Sequence, residues 1–367
     1  MSNLCFVRCA GSVLALAMSC AGARGQWSLT VLHPGSANAS SAYGVGAGQQ
    51  AGTWESVGAF RHAALWSGTS ASFIDLSPAG SGGSQAFGAS GGKQVGYAYI
   101  NSFNHAGLWS GSAASFVDLQ PASASTSVAN AISGGQQVGY ASIGGRLHAS
   151  VWSGTSASWM DLHPAGQEES ELLGVGGGKQ VGASYTIVNS SEIAHASLWS
   201  GTAASWIDLN PVGASQSFAY ATDGSIQVGR AILTGIGTHA GLWKGAAGTW
   251  ADLNPAGFVT SDAYGVENGL VVGDARMSGG SYHAGYWSGT AASWVDLSSL
   301  ASPTYSDTFA RNIWSDATTL YIAGYGRNAS TGQNNALLWS APIPAPHAVV
   351  VVGIGSLALG SRRRARS

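Results

Sequence analysis

Six short segments of the chain each carry a His, a Trp four residues on and an Asp nine residues beyond that Trp. The sets are His62, Trp66, Asp75; His105, Trp109, Asp118; His148, Trp152, Asp161; His195, Trp199, Asp208; His239, Trp243, Asp252; and His283, Trp287, Asp296. Imidazole with carboxylate suggests metal ligation or, with any of the abundant serines, a Ser-His-Asp acyl-transfer set. Glu168, Glu169 and Glu171 in QEESE offer carboxylates of the glycosidase kind, and GVGGGK (174–179) has the glycine content of a phosphate loop. None of these chemistries needs six copies. The three Glu share one short segment rather than facing each other, which reads as a solvated loop, and GVGGGK lacks both the full phosphate-loop pattern and a following helix. Repetition therefore points to a structural role: a half-buried imidazole bonding the Asp of the next strand or a backbone carbonyl, and that Asp accepting backbone N–H groups at the turn that follows.

Composition narrows the elements that can position these residues. Gly numbers 54, charged residues make up 9% and aromatics 10%, which does not suit a helical enzyme, and 14 Trp give ample apolar area to bury. Charge is segregated. Six of the 15 basic residues lie at the ends and all 17 acidic ones lie between Glu55 and Asp316, so the middle is net acidic and no nucleic-acid surface is expected.

Both ends read as export signals. Arg8, the apolar run 13–17 and the small residues after it form a secretory signal peptide over residues 1–25, which also holds all 3 Cys and leaves a mature chain without cysteine. A linker from 341 containing Pro344 and Pro346 leads into thirteen apolar residues (348–360) and an Arg-rich tail with Arg362, Arg363 and Arg364. Thirteen residues fall short of the roughly 20 that span a bilayer as a helix. The arrangement resembles the bacterial PEP-CTERM sorting signal, with Pro344-Ala345-Pro346 in place of Pro-Glu-Pro, which implies processing by an exosortase. A short permanent anchor is the alternative.

Residues 26–340 are built of a repeat. The leading His recurs at intervals of 43, 43, 47, 44 and 44 residues, and Asn335 takes its place 52 residues after His283. One unit holds four strand-like runs: ELLGV (171–175), QVGASY (180–185), HASLWS (195–200) and SWIDLN (205–210). Four short antiparallel strands per unit of this length make one blade of a β-propeller. The first three runs occur seven times. The fourth is missing after Asn335, and its spare copy is WSLTVLHP (27–34) at the start of the mature chain. That offset predicts an all-β, seven-bladed propeller whose N-terminal strand completes the last blade and so removes the open edges. A monomer is expected, with no cofactor, metal or catalytic residue.

The copies HAALW, HAGLW, HASVW, HASLW, HAGLW and HAGYW, each followed by Asp-Leu and separated by QVG segments, resemble the HAF repeat of bacterial extracellular proteins. The resemblance covers residues 41–339 and implies an exported, propeller-like protein; it supplies no catalytic residues. If the repeats are scaffold, function is expected where they differ. Spacing from the Leu of run four to the aromatic position of run one is constant at 11 residues in the first six copies, whereas the connection from run two to run three varies. The candidate binding residues in and around those connections are Trp54, Tyr97, Tyr99, Tyr140, Tyr185, Asn189, Tyr282, Tyr325 and Asn328. They suit contact with an exopolysaccharide or a surface protein. The competing readings are an extracellular polysaccharide-active enzyme with its site on the axis, for which charged residues on the innermost strands would speak, and a spacer with no ligand.

Overall fold

In the computed structural model residues 26–343 are described, apart from 59, 189 and 190. The expected signal peptide, the sorting signal with Pro344, Pro346, Arg362, Arg363 and Arg364, and Asn189 lie outside the described residues. Among those described, no helix is long and apolar enough to cross a membrane.

Seven four-stranded antiparallel sheets follow one another along the chain as blades 1 to 7. Blades 1 to 6 span 39–75, 84–118, 127–161, 169–208, 214–252 and 258–296; blade 7 joins 305–342 to the N-terminal strand Ser28–Val31. Ser28 pairs with Ser340 and Val31 with Leu337, so the first strand of the chain lies outermost in the last blade. The Leu32 N–H extends the ladder to the Ala336 carbonyl at 2.8 Å. The ring closes as the offset predicts.

Blade 4 shows how sequence becomes strand. Its innermost strand Glu169–Gly176 turns through Gly177 and Gly178 into Lys179–Val188. Both glycines have positive φ, 54° and 74°, the conformation a two-residue hairpin turn requires. The third strand Ser191–Trp199 leads to a 3-10 turn, Ala203–Ser205, and only then to the outer strand Ile207–Asp208. The fourth run therefore supplies a two-residue strand, because Ser205 Oγ accepts the Ser200 N–H at 2.8 Å and holds the preceding residues in the turn. Such a short strand leaves little exposed edge.

The core is divided among the seven seams between blades. At each, one fully buried Trp of a third strand wedges against the blade before it. Trp199, for example, packs on Val138, Val151, Leu162 and Leu172, while Leu198 on the other face meets Trp243 of the following blade. Each such Trp buries on the order of 200 Å², equivalent to about 5 kcal/mol of apolar transfer. A second device crosses every seam: a hydroxyl early in the innermost strand accepts the backbone N–H of an Ala in the preceding blade. The acceptors are Ser40, Ser84, Ser127, Ser170, Ser217, Ser261 and Thr308, at 2.9–3.0 Å.

Candidate functional site

All six His-Asp pairs form as clamps between third and outer strands. His Nδ1 lies 2.6–2.9 Å from Asp Oδ2 in each. The other carboxylate oxygen accepts the N–H of the residue two further on, at 2.7–2.8 Å, in Ser77, Gln120, His163, Asn210, Asn254 and Ser298. The two roles expected of the Asp are thus filled at once. At Asp208 burial acts to raise the pKa, but bonds from His195 and Asn210 outweigh it and hold the carboxyl below its usual range. The clamps are spread round the ring, one per blade, and do not converge.

What converges lies on the axis. Every innermost strand has a β-bulge directly after its repeat Ala or Leu, shifting register at Ala42/Gly44, Ala86/Gly88, Ala129/Ala131, Leu172/Gly174, Ala219/Ala221, Ala263/Gly265 and Ala310/Asn312. The bulged residue is Tyr43, Phe87, Asn130, Leu173, Tyr220, Tyr264 or Arg311, and all seven line an axial cavity of about 590 Å³. A bulge re-aims one side chain out of the sheet, here into the channel. These are the run-one positions set 11 residues beyond Leu in six copies; in blade 7 the chain is longer and Arg311 occupies the place.

The aromatic members form a continuous arc. Ring centroids lie 5.1 Å apart for Tyr220–Tyr264, 6.2 Å for Tyr43–Tyr325 and 5.9 Å for Tyr43–Phe87. Arg311 bridges the arc, its guanidinium 4.0 Å from the Tyr264 centroid and 5.2 Å from that of Tyr325, whose hydroxyl oxygen accepts from Nη2 at 2.9 Å. Behind it, Asp274 Oδ1 lies 3.5 Å from Arg311 Nη1, and across the seam between blades 5 and 6 Arg230 meets Asp262 at 3.3 Å. Burial pushes the Asp274 carboxyl up to about 7 against the opposing pull of Arg311. Burial also raises Asp262, with Arg230 opposing, and the hydroxyls of Tyr220 and Tyr264.

Glu171 corrects the sequence reading. QEESE is not a solvated loop from end to end: Glu169 begins an innermost strand, and Glu171 accepts the Tyr185 hydroxyl at 2.6 Å. Burial raises its pKa, with the Tyr185 bond opposing. Arg311 stands on the innermost strand of blade 7, and Arg230 and Asp274 come from second strands, paired across to Phe218 and Asp262. Their spacing in the sequence has no motif; only strand pairing brings them together.

The loop candidates are mostly strand residues. Trp54, Tyr97, Tyr99, Tyr140, Tyr185, Tyr282 and Tyr325 all lie in second or third strands. Trp54 packs at 5.0 Å against Phe73, and Tyr97 at 6.0 Å against Phe87, extending the arc. Asn328 ends a strand and its side chain accepts the Ser330 N–H at 2.9 Å. Tyr282 and Tyr325 converge with Glu55, Arg61, Asp307 and Arg327 on a second cavity of about 410 Å³. Tyr325 belongs to both features, since Arg311 holds its hydroxyl.

No family model matches the chain and no curated protein matches it. Solved structures share the fold. The β-propeller domain of the Trilobed protease from Pyrococcus furiosus aligns with a TM-score of 0.53 at 10% identity, over 83% of this chain and 94% of that one. A puromycin hydrolase aligns at 0.54 and 11% over 82% of this chain, and an acylaminoacyl peptidase at 0.52 and 9% over 84%. The chain spans about half the length of each of those two enzymes, 53% in both cases. At such identities the likeness is one of fold alone.

Proposed function

We propose that the protein is an exported surface or matrix module that binds polysaccharide at the mouth of its axial channel. One observation carries the reading: the bulged position of each innermost strand, equivalent in all seven blades, turns into the axial cavity a side chain whose chemistry is not repeated. Scaffold positions repeat; this one changes from Tyr and Phe to Asn, Leu and Arg. Aromatic faces stack on the C–H faces of sugar rings, while Asn130, Arg311 and the tyrosine hydroxyls bond their hydroxyl groups. Export and exosortase processing remain proposals from the resemblance of the chain ends to sorting signals.

The test is glycan-array screening of the mature chain, followed by calorimetry with Tyr43→Ala and Tyr264→Ala. Loss of one stacking face weakens binding by about 10-fold, the equivalent of roughly 1.4 kcal/mol. Absence of any glycan ligand, or affinities within twofold of wild type in both variants, overturns the proposal. A second reading, an enzyme acting on the same polysaccharide, is favoured by Asp274, a buried carboxyl near 7 beside Arg311. Release of new chain ends from a bound glycan separates it from simple binding.

A further inference from the structure

Among the six clamps, blade 6 differs. Two residues ahead of the clamp His the copies carry Phe60, Phe103, Arg146, Ile193, Gly237 and, in blade 6, Ser281. Ser281 immediately precedes the third strand Tyr282–Trp287, and its side chain stands beside His283. Its Oγ lies 3.1 Å from His283 Nε2, while Nδ1 of the same ring lies 2.6 Å from Asp296 Oδ2. Among the described residues, no other clamp His has a hydroxyl on Nε2. The Asp bond fixes the tautomer: Nδ1 carries the proton and Nε2 is left to accept the Ser281 hydroxyl.

We propose that Ser281, His283 and Asp296 form an acyl-transfer site on the outer rim, separate from the axial channel. Ser281 Oγ attacks an ester carbonyl as its proton passes to His283 Nε2. The bond from the carbonyl carbon to the alkoxy oxygen then breaks, and His283 returns the proton to the departing alcohol. Water, deprotonated in turn by His283, releases the acid and restores Ser281. Asp296 positions the ring and stabilises its protonated form.

The surroundings supply the other needs of the reaction. Gly279 is left-handed, φ 64°, and the Gly280 N–H turns back to the Met277 carbonyl at 3.1 Å. The Ser281 N–H makes no hydrogen bond among the described residues and so remains available to the oxyanion. Phe258 packs edge-on to the His283 ring at 5.7 Å. Met277, paired with Phe258 and close to Gly280, and Val259, the residue after Phe258, are each 44% exposed, and Ile236 of blade 5 is 66% exposed on a loop whose Gly237 approaches the Val259 carbonyl. This apolar rim takes an ester with a short, apolar acyl chain.

The mature chain is tested with p-nitrophenyl butyrate and with a fluorophosphonate probe read by peptide mass spectrometry. Wild type hydrolyses the ester and carries the adduct on Ser281; Ser281→Ala loses at least about 100-fold in rate and the adduct. Ser281 contributes only a half-buried hydroxyl, so that variant keeps the circular dichroism of wild type. His239→Gln, which breaks the equivalent clamp in blade 5, keeps the rate within twofold and shows that loss of a clamp is not the cause. Hydrolysis by Ser281→Ala within threefold of wild type, or an adduct spread over other exposed serines, overturns the assignment.

Discussion

Replacing Ser217 by Ala probes the seams that hold the ring together. Ser217 Oγ accepts the Ala196 N–H of the preceding blade at 3.0 Å and donates to Asn210 Oδ1 at 2.6 Å. Both Ser217 and Ala196 are fully buried, so water cannot replace the lost acceptor. Leaving a buried N–H unpaired costs about 1–3 kcal/mol. Taking about 2 kcal/mol, a chain of this size loses roughly 3 °C in Tm. Urea unfolding followed by tryptophan fluorescence reads the same change as a lower midpoint at constant slope. Blade 7 contains its own control, because Thr308 accepts the Ala284 N–H at 2.9 Å in the equivalent place. Ser217→Thr therefore costs less than about 1 kcal/mol, chiefly in repacking one methyl group. Combining Ser217→Ala with Ser261→Ala, one seam away, doubles the loss to about 4 kcal/mol, since the sites share no partner. An Ala variant within 0.5 kcal/mol of wild type, or a Thr variant as unstable as the Ala one, refutes the seam as a source of stability.

Two further expectations concern the axis. Asp274 has a folded pKa of about 7 against an ordinary value of 3.8, so the native state holds its proton more tightly than the unfolded chain. Its contribution is therefore fully present at low pH and is lost as pH rises from about 4 to about 7, a change of up to about 4 kcal/mol. Between pH 5 and 8 wild type accordingly loses roughly 2–3 kcal/mol more than Asp274→Asn, measured by urea unfolding at each pH; parallel profiles count against it. Asp208, held low, works in the opposite sense and loses stability as pH falls, but its half-exposed position makes that effect small. Gly229 lies in a second strand beside a bulge, where a Cβ would stand 1.9 Å from the Phe218 carbonyl oxygen. Gly229→Ala is expected to cost about 3 kcal/mol or more and to lower soluble yield, whereas Gly248→Ala, with open space around it, leaves both unchanged.

Much of the fold was legible because its signals are local and repeated. The constant spacing of His, Trp and Asp fixed the phase of third and outer strands, and the stray copy at 27–34 announced the closure. Chemistry offered the half-buried imidazole two partners, the Asp or a backbone carbonyl, and the fold chose the Asp. The candidate binding residues show what the sequence left open: Tyr97, Tyr185 and Tyr325 stand at the ends of second-strand runs, and only the fold shows that their rings turn back onto Phe87, Glu171 and Arg311. QEESE reads two ways, as a solvated loop and, from Glu171 on, as a strand; the strand reaches back to Glu169, and alternation buries Glu171.

The sequence by itself determined the blade, the number of blades and the way the ring shuts, because each depends on period, turn residues and local pairing. Only the tertiary structure decided what stands on the axis. A bulge turns one residue per blade inward, and closure of the ring brings Tyr43, Tyr264 and Arg311 together although they lie more than 200 residues apart along the chain at their widest. It also decided that one serine of many, Ser281, meets an imidazole nitrogen. Period is written along the chain, whereas convergence arises from a closed circle that no local pattern records.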